Sequence, residues 1–226
     1  MTFSLILRDP ETGEFGSAIS SSSPAVAARC LNLADGIGAA HSQNVTDPRL
    51  GPALIERLRA GDSAQQAIDV VVASADPETI DYRQLLVLDA EGRGAVHSGG
   101  KALGIFGAAV RENAVAGGNM LASLDVLDAL VDTALSATGR IEERLYAALQ
   151  AAVAAGGEEG PVHSAGISVV GSAGWRVTDL RVDWVDEDPI GELGRVLEQW
   201  LPQRDDYVSR GLNPVAAPSY GVPGDE

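Results

Sequence analysis

The second residue, Thr2, is the first candidate for chemistry. A small second residue permits removal of Met1, which leaves Thr2 at the head of the chain. One residue then carries both a hydroxyl nucleophile and its own base. The α-amine has a pKa near about 8, so a useful fraction is neutral at physiological pH. This is the N-terminal threonine form of the acyl-transfer arrangement. Many chains begin Met-Thr with no chemistry attached, so the feature needs support from elsewhere.

Other polar groups matter through their placement. Ser20-Ser21-Ser22-Ser23 ends a strand-like segment, where hydroxyls could stand beside the first strand. His41-Ser42-Gln43-Asn44 closes an apolar stretch, Ile37 to Ala40. Gly117-Gly118-Asn119-Met120 follows a strand-like Ala114-Val115-Ala116. Glycines there allow close backbone approach, and the Asn119 amide could donate to an oxyanion. Each of these is also ordinary loop, cap or turn chemistry. The histidines are His41, His97 and His163. A lone strand histidine more often completes a hydrogen bond than acts as a base. That reading is favoured for His163 and, more narrowly, for His41 and His97, which are kept as pocket candidates. No G-x-S-x-G elbow is present, which disfavours an α/β-hydrolase serine.

Composition narrows the partners. In 226 residues, 32 acids face 16 bases, for a net charge of −16. That balance argues against a phosphate backbone or an anionic membrane as partner. Lys101 is the single lysine, without P-loop spacing around it. Cys30 is the single cysteine, so no intrachain disulfide forms, and no Cys/His set has zinc spacing. Asp125, Asp128 and Asp132 read as an exposed acidic stripe, and neither metal nor cofactor is expected. The apolar run from Thr2 to Leu7 is too short for a signal peptide, and nothing approaches a membrane span. A cytoplasmic protein is expected.

These groups must be positioned by elements, and the elements come as hairpins and helix pairs. Thr2–Arg8 and Phe15–Ser20 alternate like strands around the turn Asp9-Pro10-Glu11-Thr12-Gly13-Glu14. Gln84–Asp89 with Gly94–Ser98, and Ala165–Val170 with Trp175–Trp184, repeat the pattern. Asp47-Pro48 is expected to start a helix with Leu50, Leu54, Ile55 and Leu58 on one face. Asp62 with Gln65 resembles a capping box for a second helix carrying Ala67, Ile68 and Val71. Leu127, Leu130 and Val131, then Ile141, Leu145 and Leu149, mark another pair. Asp188-Pro189 caps a last helix. One domain is expected over residues 1–201, with an extended Pro/Gly-rich tail over 202–226 that could lie across a neighbouring copy. The block order fits an α+β protein with two stacked antiparallel sheets between helix layers.

The ordered motifs resemble a known group. Thr2-Phe3-Ser4, Arg8-Asp9-Pro10-Glu11-Thr12-Gly13, Ser42-Gln43, Tyr82-Arg83-Gln84-Leu85 and Gly118-Asn119-Met120-Leu121 are similar to bacterial domain-of-unknown-function family 1028. Glu143-Arg144-Leu145, Ser164-Ala165, Leu180-Arg181-Val182-Asp183 and Asp188-Pro189-Ile190 continue the likeness to about residue 200. His41 stands where a small residue is expected, and Glu158-Glu159-Gly160-Pro161 lacks an expected base. The resemblance implies a four-layer αββα sandwich like that of N-terminal-nucleophile hydrolases. By fold analogy it implies an amidohydrolase acting on a small amide, cyclic amide or peptide-like substrate. Thr2 would attack, Ser42 or a hydroxyl from Ser20 to Ser23 would position the amine, and Asn119 would hold the oxyanion. Ser20, Ser21, His41, Gln43, Asn44, His97 and Gly118 would line the pocket of a homo-oligomer. The alternative is a non-catalytic member of the same fold, because Lys101 would have to arrive from the second hairpin to tune Thr2.

Overall fold

The computed structural model describes residues 1–222. Asp9 builds the first turn: its Oδ1 accepts from the backbone N–H of Glu11 at 2.8 Å and of Thr12 at 3.1 Å. Gly13, at φ 75°, supplies the left-handed residue that closes it. This turn joins β1 (Thr2–Arg8) to β2 (Phe15–Ser21) as an antiparallel hairpin. Arg144 reaches across to Asp9 at 2.9 Å and ties the turn to a helix.

After β2 come α1 (Val26–Cys30), β3 (Leu31–Ala34) and β4 (Gly38–Asn44). The next block is α2 (Leu50–Arg59), α3 (Ala64–Ser74), α4 (Pro77–Ile80), β5 (Arg83–Asp89) and β6 (Gly94–Ser98). Then follow β7 (Gly107–Arg111), β8 (Ala114–Asn119), α5 (Asp125–Ser136) and α6 (Ile141–Ala154). The chain continues with β9 (Ser164–Val170), β10 (Arg176–Val182), α7 (Pro189–Trp200) and α8 (Arg204–Leu212). One sheet has six strands in the order β10-β9-β2-β1-β8-β7, and the other has four, β3-β4-β5-β6. All pairings are antiparallel.

Strand alternation divides the apolar residues into layers. Phe3, Leu5 and Leu7 point outward against Leu127, Leu130, Leu145 and Leu149 of α5 and α6. Leu85 and Val87 point outward from the second sheet against Leu54, Ile68 and Val71 of α2 and α3. Ile6, Phe15, Leu86, Leu88 and Val115 meet between the sheets. Helices, sheet, sheet, helices: the expected four-layer αββα sandwich is the one observed.

Local details correct some expectations. The capping box lies one residue later than expected: Ser63 Oγ accepts from Gln66 N–H, and Gln66 Oε1 accepts from Ser63 N–H. Asp47 stands ahead of α2, binding Arg49 N–H and the Arg49 guanidinium instead of acting as its N-cap. Residues 204–212, expected within an extended tail, form helix α8. Arg204 holds it down, its guanidinium 2.7 Å from the buried Glu142 and also paired with Glu14. The last residues of the expected tail, 223–226, lie outside the described residues. Among the described residues, no helix is long and apolar enough to cross a membrane.

Candidate active site

β1 runs through the middle of the larger sheet, and Thr2 is its first residue. The register places Thr2 opposite Asn119 of β8, while Phe3 pairs with Ser20 of β2. Thr2 therefore lies between Ser21 and Asn119 on the face that looks toward the second sheet. Its hydroxyl donates to the Met1 carbonyl and stands 3.4 Å from Ser21 Oγ. Ser21 Oγ donates to the same carbonyl and accepts from Ser23 N–H at 3.0 Å. Thr2 is 5% exposed with Met1 in place.

Behind Thr2, inward positions of β1, β2, β4, β5, β6 and β8 carry polar side chains that join into one network of hydrogen bonds. Ser4 Oγ donates to Gln43 Oε1 at 2.7 Å. That uses the only Ser4 hydroxyl proton, so His41 Nδ1, 3.0 Å away, carries hydrogen and donates to Ser4. His41 Nε2 is then the acceptor, and Ser17 Oγ donates to it at 2.9 Å. Burial pushes the His41 pKa down to about 3, so the ring stays neutral and this tautomer holds at neutral pH. Gln43 Nε2 donates to Gln84 Oε1 at 2.8 Å, and Asn119 Nδ2 donates to the same oxygen at 3.3 Å. Gln84 Nε2 lies 3.1 Å from the Gly118 carbonyl and 3.0 Å from Ser98 Oγ. From Ser17 through His41, Ser4, Gln43 and Gln84 the donors run toward the Gly118 carbonyl on the strand that flanks Thr2, and Asn119 donates back to Gln84 from that strand.

The structure brings Thr2, Ser21, His41, Gln43 and Asn119 to one face. It does not bring Ser42 there: adjacent strand residues face opposite sides, and Ser42 Oγ donates outward to the Asp47 carbonyl at 2.9 Å. Ser20 likewise faces the other way and donates to the Ser164 carbonyl at 3.0 Å. His97 pairs with Leu85 on the helix-facing side, where its Nε2 is buried without a partner. Asn44, at φ 69°, donates to the Tyr82 carbonyl at 2.6 Å and accepts from Leu103 N–H, so it pins a loop. Gly118 has a steric role: a Cβ there would come within 2.7 Å of Leu121 and 3.0 Å of the Thr2 carbonyl. The Lys101 ammonium sits over the Tyr82 ring at 4.7 Å instead of on the Thr2 hydroxyl. His163 accepts the expected structural role, with Nδ1 2.9 Å from the Val185 carbonyl and its ring stacked on Trp184.

Sequence reasoning missed Ser4, Ser17, Gln84 and Glu158. The first three were findable, because each is a polar residue at an inward strand position beside a buried apolar one: Ser4 next to Ile6, Ser17 next to Phe15 and Ile19, and Gln84 next to Leu86. Glu158 lies in a connection after α6 and carries no such signal. The residue is 6% exposed, and its Oε2 accepts from Ser22 N–H at 3.2 Å. Among the described residues, the buried side-chain polar atoms without partners are His97 Nε2, Asn119 Oδ1, Glu142 Oε2 and Glu158 Oε1. Asn119 and Glu158 both belong to the neighbourhood of the chain start. Large surface cavities open elsewhere: one of about 520 Å³ is lined by Tyr146, Val153, Val162 and Ile190, away from Thr2.

A family model described as "Family of unknown function (DUF1028)" matches residues 2–193. Protein SPO2555 from Silicibacter pomeroyi, a DUF1028 structure, is 29% identical at a TM-score of 0.84, covering 92% of this chain and 94% of its own. HslV from Trypanosoma brucei is 13% identical at a TM-score of 0.46, covering 75% of this chain and 98% of its own. An Anbu mutant from Hyphomicrobium is 12% identical at 0.43, covering 90% and 96%. No curated protein matches.

Proposed function

We propose, for a chain that belongs to the DUF1028 family, that it is an N-terminal-nucleophile amidohydrolase whose nucleophile is Thr2. The substrate class is a small amide, cyclic amide or short peptide-like molecule. The observation that carries this reading is the register: Thr2 heads a central strand, flanked by the Ser21 hydroxyl on one side and the Asn119 amide on the other. The Met1 carbonyl that now receives the Thr2 and Ser21 hydroxyls leaves with Met1. Thr2 then presents a free amine and a free hydroxyl on one residue.

In this mechanism the Thr2 amine takes the hydroxyl proton, and Oγ1 attacks the substrate carbonyl carbon. Asn119 Nδ2 has two N–H groups and gives one to Gln84, which leaves one for the oxyanion. Ser21 Oγ orients the amine. The amine proton then passes to the leaving nitrogen, and water releases the acyl group. No cofactor is required by this chemistry.

The test is turnover of short peptide amides and cyclic amides by the Met1-free protein and by Thr2→Ala. The expected loss is roughly 10³-fold or more, with an unchanged circular dichroism spectrum. Turnover retained in Thr2→Ala would overturn the mechanism. A non-catalytic binding module is the second reading, and the placement of Lys101 on Tyr82 favours it, since no lysine then tunes Thr2. The proposed state is a homo-oligomer, supported by exposed Leu103, Ile105 and Leu124 near the β7 edge. A monomer mass by light scattering would remove that part.

A further inference from the structure

We propose that Glu158 is the counter-ion of the Thr2 α-amine and holds that amine beside the Thr2 hydroxyl once Met1 has gone. The inference rests on the reading of Thr2 as the first residue of the mature chain. It starts from an unusual carboxylate. Glu158 is 6% exposed, yet only one of its oxygens is engaged, by Ser22 N–H at 3.2 Å. The other, Oε1, is buried with no partner. A buried carboxylate with an idle oxygen is costly unless a cation completes it.

The surroundings point to which cation. Ser22 follows Ser21, whose hydroxyl lies 3.4 Å from Thr2 Oγ1. On the other side, Glu158 bridges to Leu121 and Glu159 N–H donates to the Met120 carbonyl at 3.0 Å, just beyond Asn119. The segment of Glu158 is thus tied to the residues that follow both strands flanking Thr2, Ser22 after β2 and Met120-Leu121 after β8. Gly160 lies against the Met1 side chain, so the same segment borders the first residue. Burial raises the Glu158 pKa to about 7, and the chain's α-ammonium pulls it the other way. The buried Cys30 thiol also feels that ammonium, while Glu159 faces solvent. Losing Met1 moves the amine inward by one residue, roughly 3.3 Å along a strand. That puts it on the residue whose hydroxyl lies 3.4 Å from Ser21 Oγ, beside the segment that carries Glu158.

A carboxylate beside an ammonium stabilises the charged amine, so its removal lowers the amine pKa. The experiment measures that amine directly. Protein beginning at Thr2, made from a cleavable fusion, is labelled with limiting acetic anhydride across a pH series, and the N-terminal peptide is quantified by mass spectrometry. Glu158→Gln is expected to shift the labelling midpoint of the Thr2 amine down by about one pH unit or more. Glu158→Asp, which keeps the charge, should restore at least part of the shift, and Glu159→Gln should leave the profile in place. A Glu158→Gln profile superimposable on the parent, or an equal shift in Glu159→Gln, overturns the proposal. Labelling needs no turnover, so the outcomes separate. A shift without any amide hydrolysis keeps Glu158 and removes the hydrolase, and hydrolysis without a shift does the reverse.

Discussion

Toward the hairpin turns, the two sheets meet through Ile6, Phe15, Ala39, Leu86, Leu88, Val115 and Val170. Toward the start of β1, the same strands meet through Thr2, Ser4, Ser17, His41, Gln43, Gln84 and Asn119. Both sets occupy the same inward positions of the same alternation. The apolar end is stabilised by area removed from water and needs no direction. The polar end gains little from burial and loses about 1–3 kcal/mol for each group left unpaired. It is therefore stable where its groups find partners. The donor chain from Ser17 through His41, Ser4, Gln43 and Gln84 supplies them, and Asn119 Oδ1, buried without a partner beside Thr2, is the exception. One end of the sandwich is thus held by apolar area and the other by directed hydrogen bonds.

Perturbing each end should give opposite results for stability and for turnover. The largest stability effect is expected at the apolar end. Leu86→Ala should lose about 2–5 kcal/mol in urea unfolding, because Leu86 is fully buried. Its turnover per folded molecule should be unchanged. A loss below about 1 kcal/mol would mean that this end does not carry the core.

The next effect is a pH dependence. His41 has a folded pKa of about 3 against an ordinary value of 6.5, so the unfolded chain binds more protons between those values. Stability then falls as pH drops below 6.5. From pH 6.5 to 5 the expected cost is about 2 kcal/mol. Glu158, with its pKa raised to about 7, acts in the opposite direction over this range, since its folded form gains protons as pH falls. The difference between wild type and His41→Gln cancels the Glu158 contribution. That difference should shrink steadily as the medium is acidified. A difference that is flat with pH would contradict a buried neutral imidazole.

A smaller effect is expected from Ser17→Ala, which removes the donor to His41 Nε2 and leaves that nitrogen buried. Roughly 1–3 kcal/mol should be lost, as read by thermal unfolding. Ser17→Cys should recover less than half of it, because a thiol is a weak donor. The smallest stability change, under about 1 kcal/mol, is expected for Thr2→Ala at the strand start, where the hydroxyl contact to Ser21 is 3.4 Å. The same variant should have the largest effect on turnover, so the order of the two ends reverses with the property measured.

The elements that were legible in the sequence carry their own punctuation. Asp9 to Gly13 between alternating strands announces the first hairpin, and Asp188-Pro189 announces α7, whose Gly191 N–H donates to Asp188 Oδ1 at 2.8 Å. The short α1 and β3 have too few residues to show a period, and β7 is an edge strand with only Ala109 buried. Helix α8 escaped because it buries no residue fully and is docked mainly through ion pairs, Arg204 with Glu142 and Glu14 and Asp205 with Arg140. The site was legible where chemistry and position coincide, at Thr2, Ser21, Gln43 and Asn119. Ser42 and Gln43 are neighbours in sequence, and only the parity of β4 tells which of them faces Thr2. His41 was expected to line the pocket, and its depth between the sheets makes it a fixed link between the Ser4 and Ser17 hydroxyls.

The central claim is that the functional chain begins at Thr2. The most direct test is the intact mass of the protein purified from its native host. The account predicts a mass short by one methionine, with an N-terminal peptide that starts at Thr2. A chain that keeps Met1 would contradict it, because Thr2 would then lack a free amine and its hydroxyl would stay bound to the Met1 carbonyl.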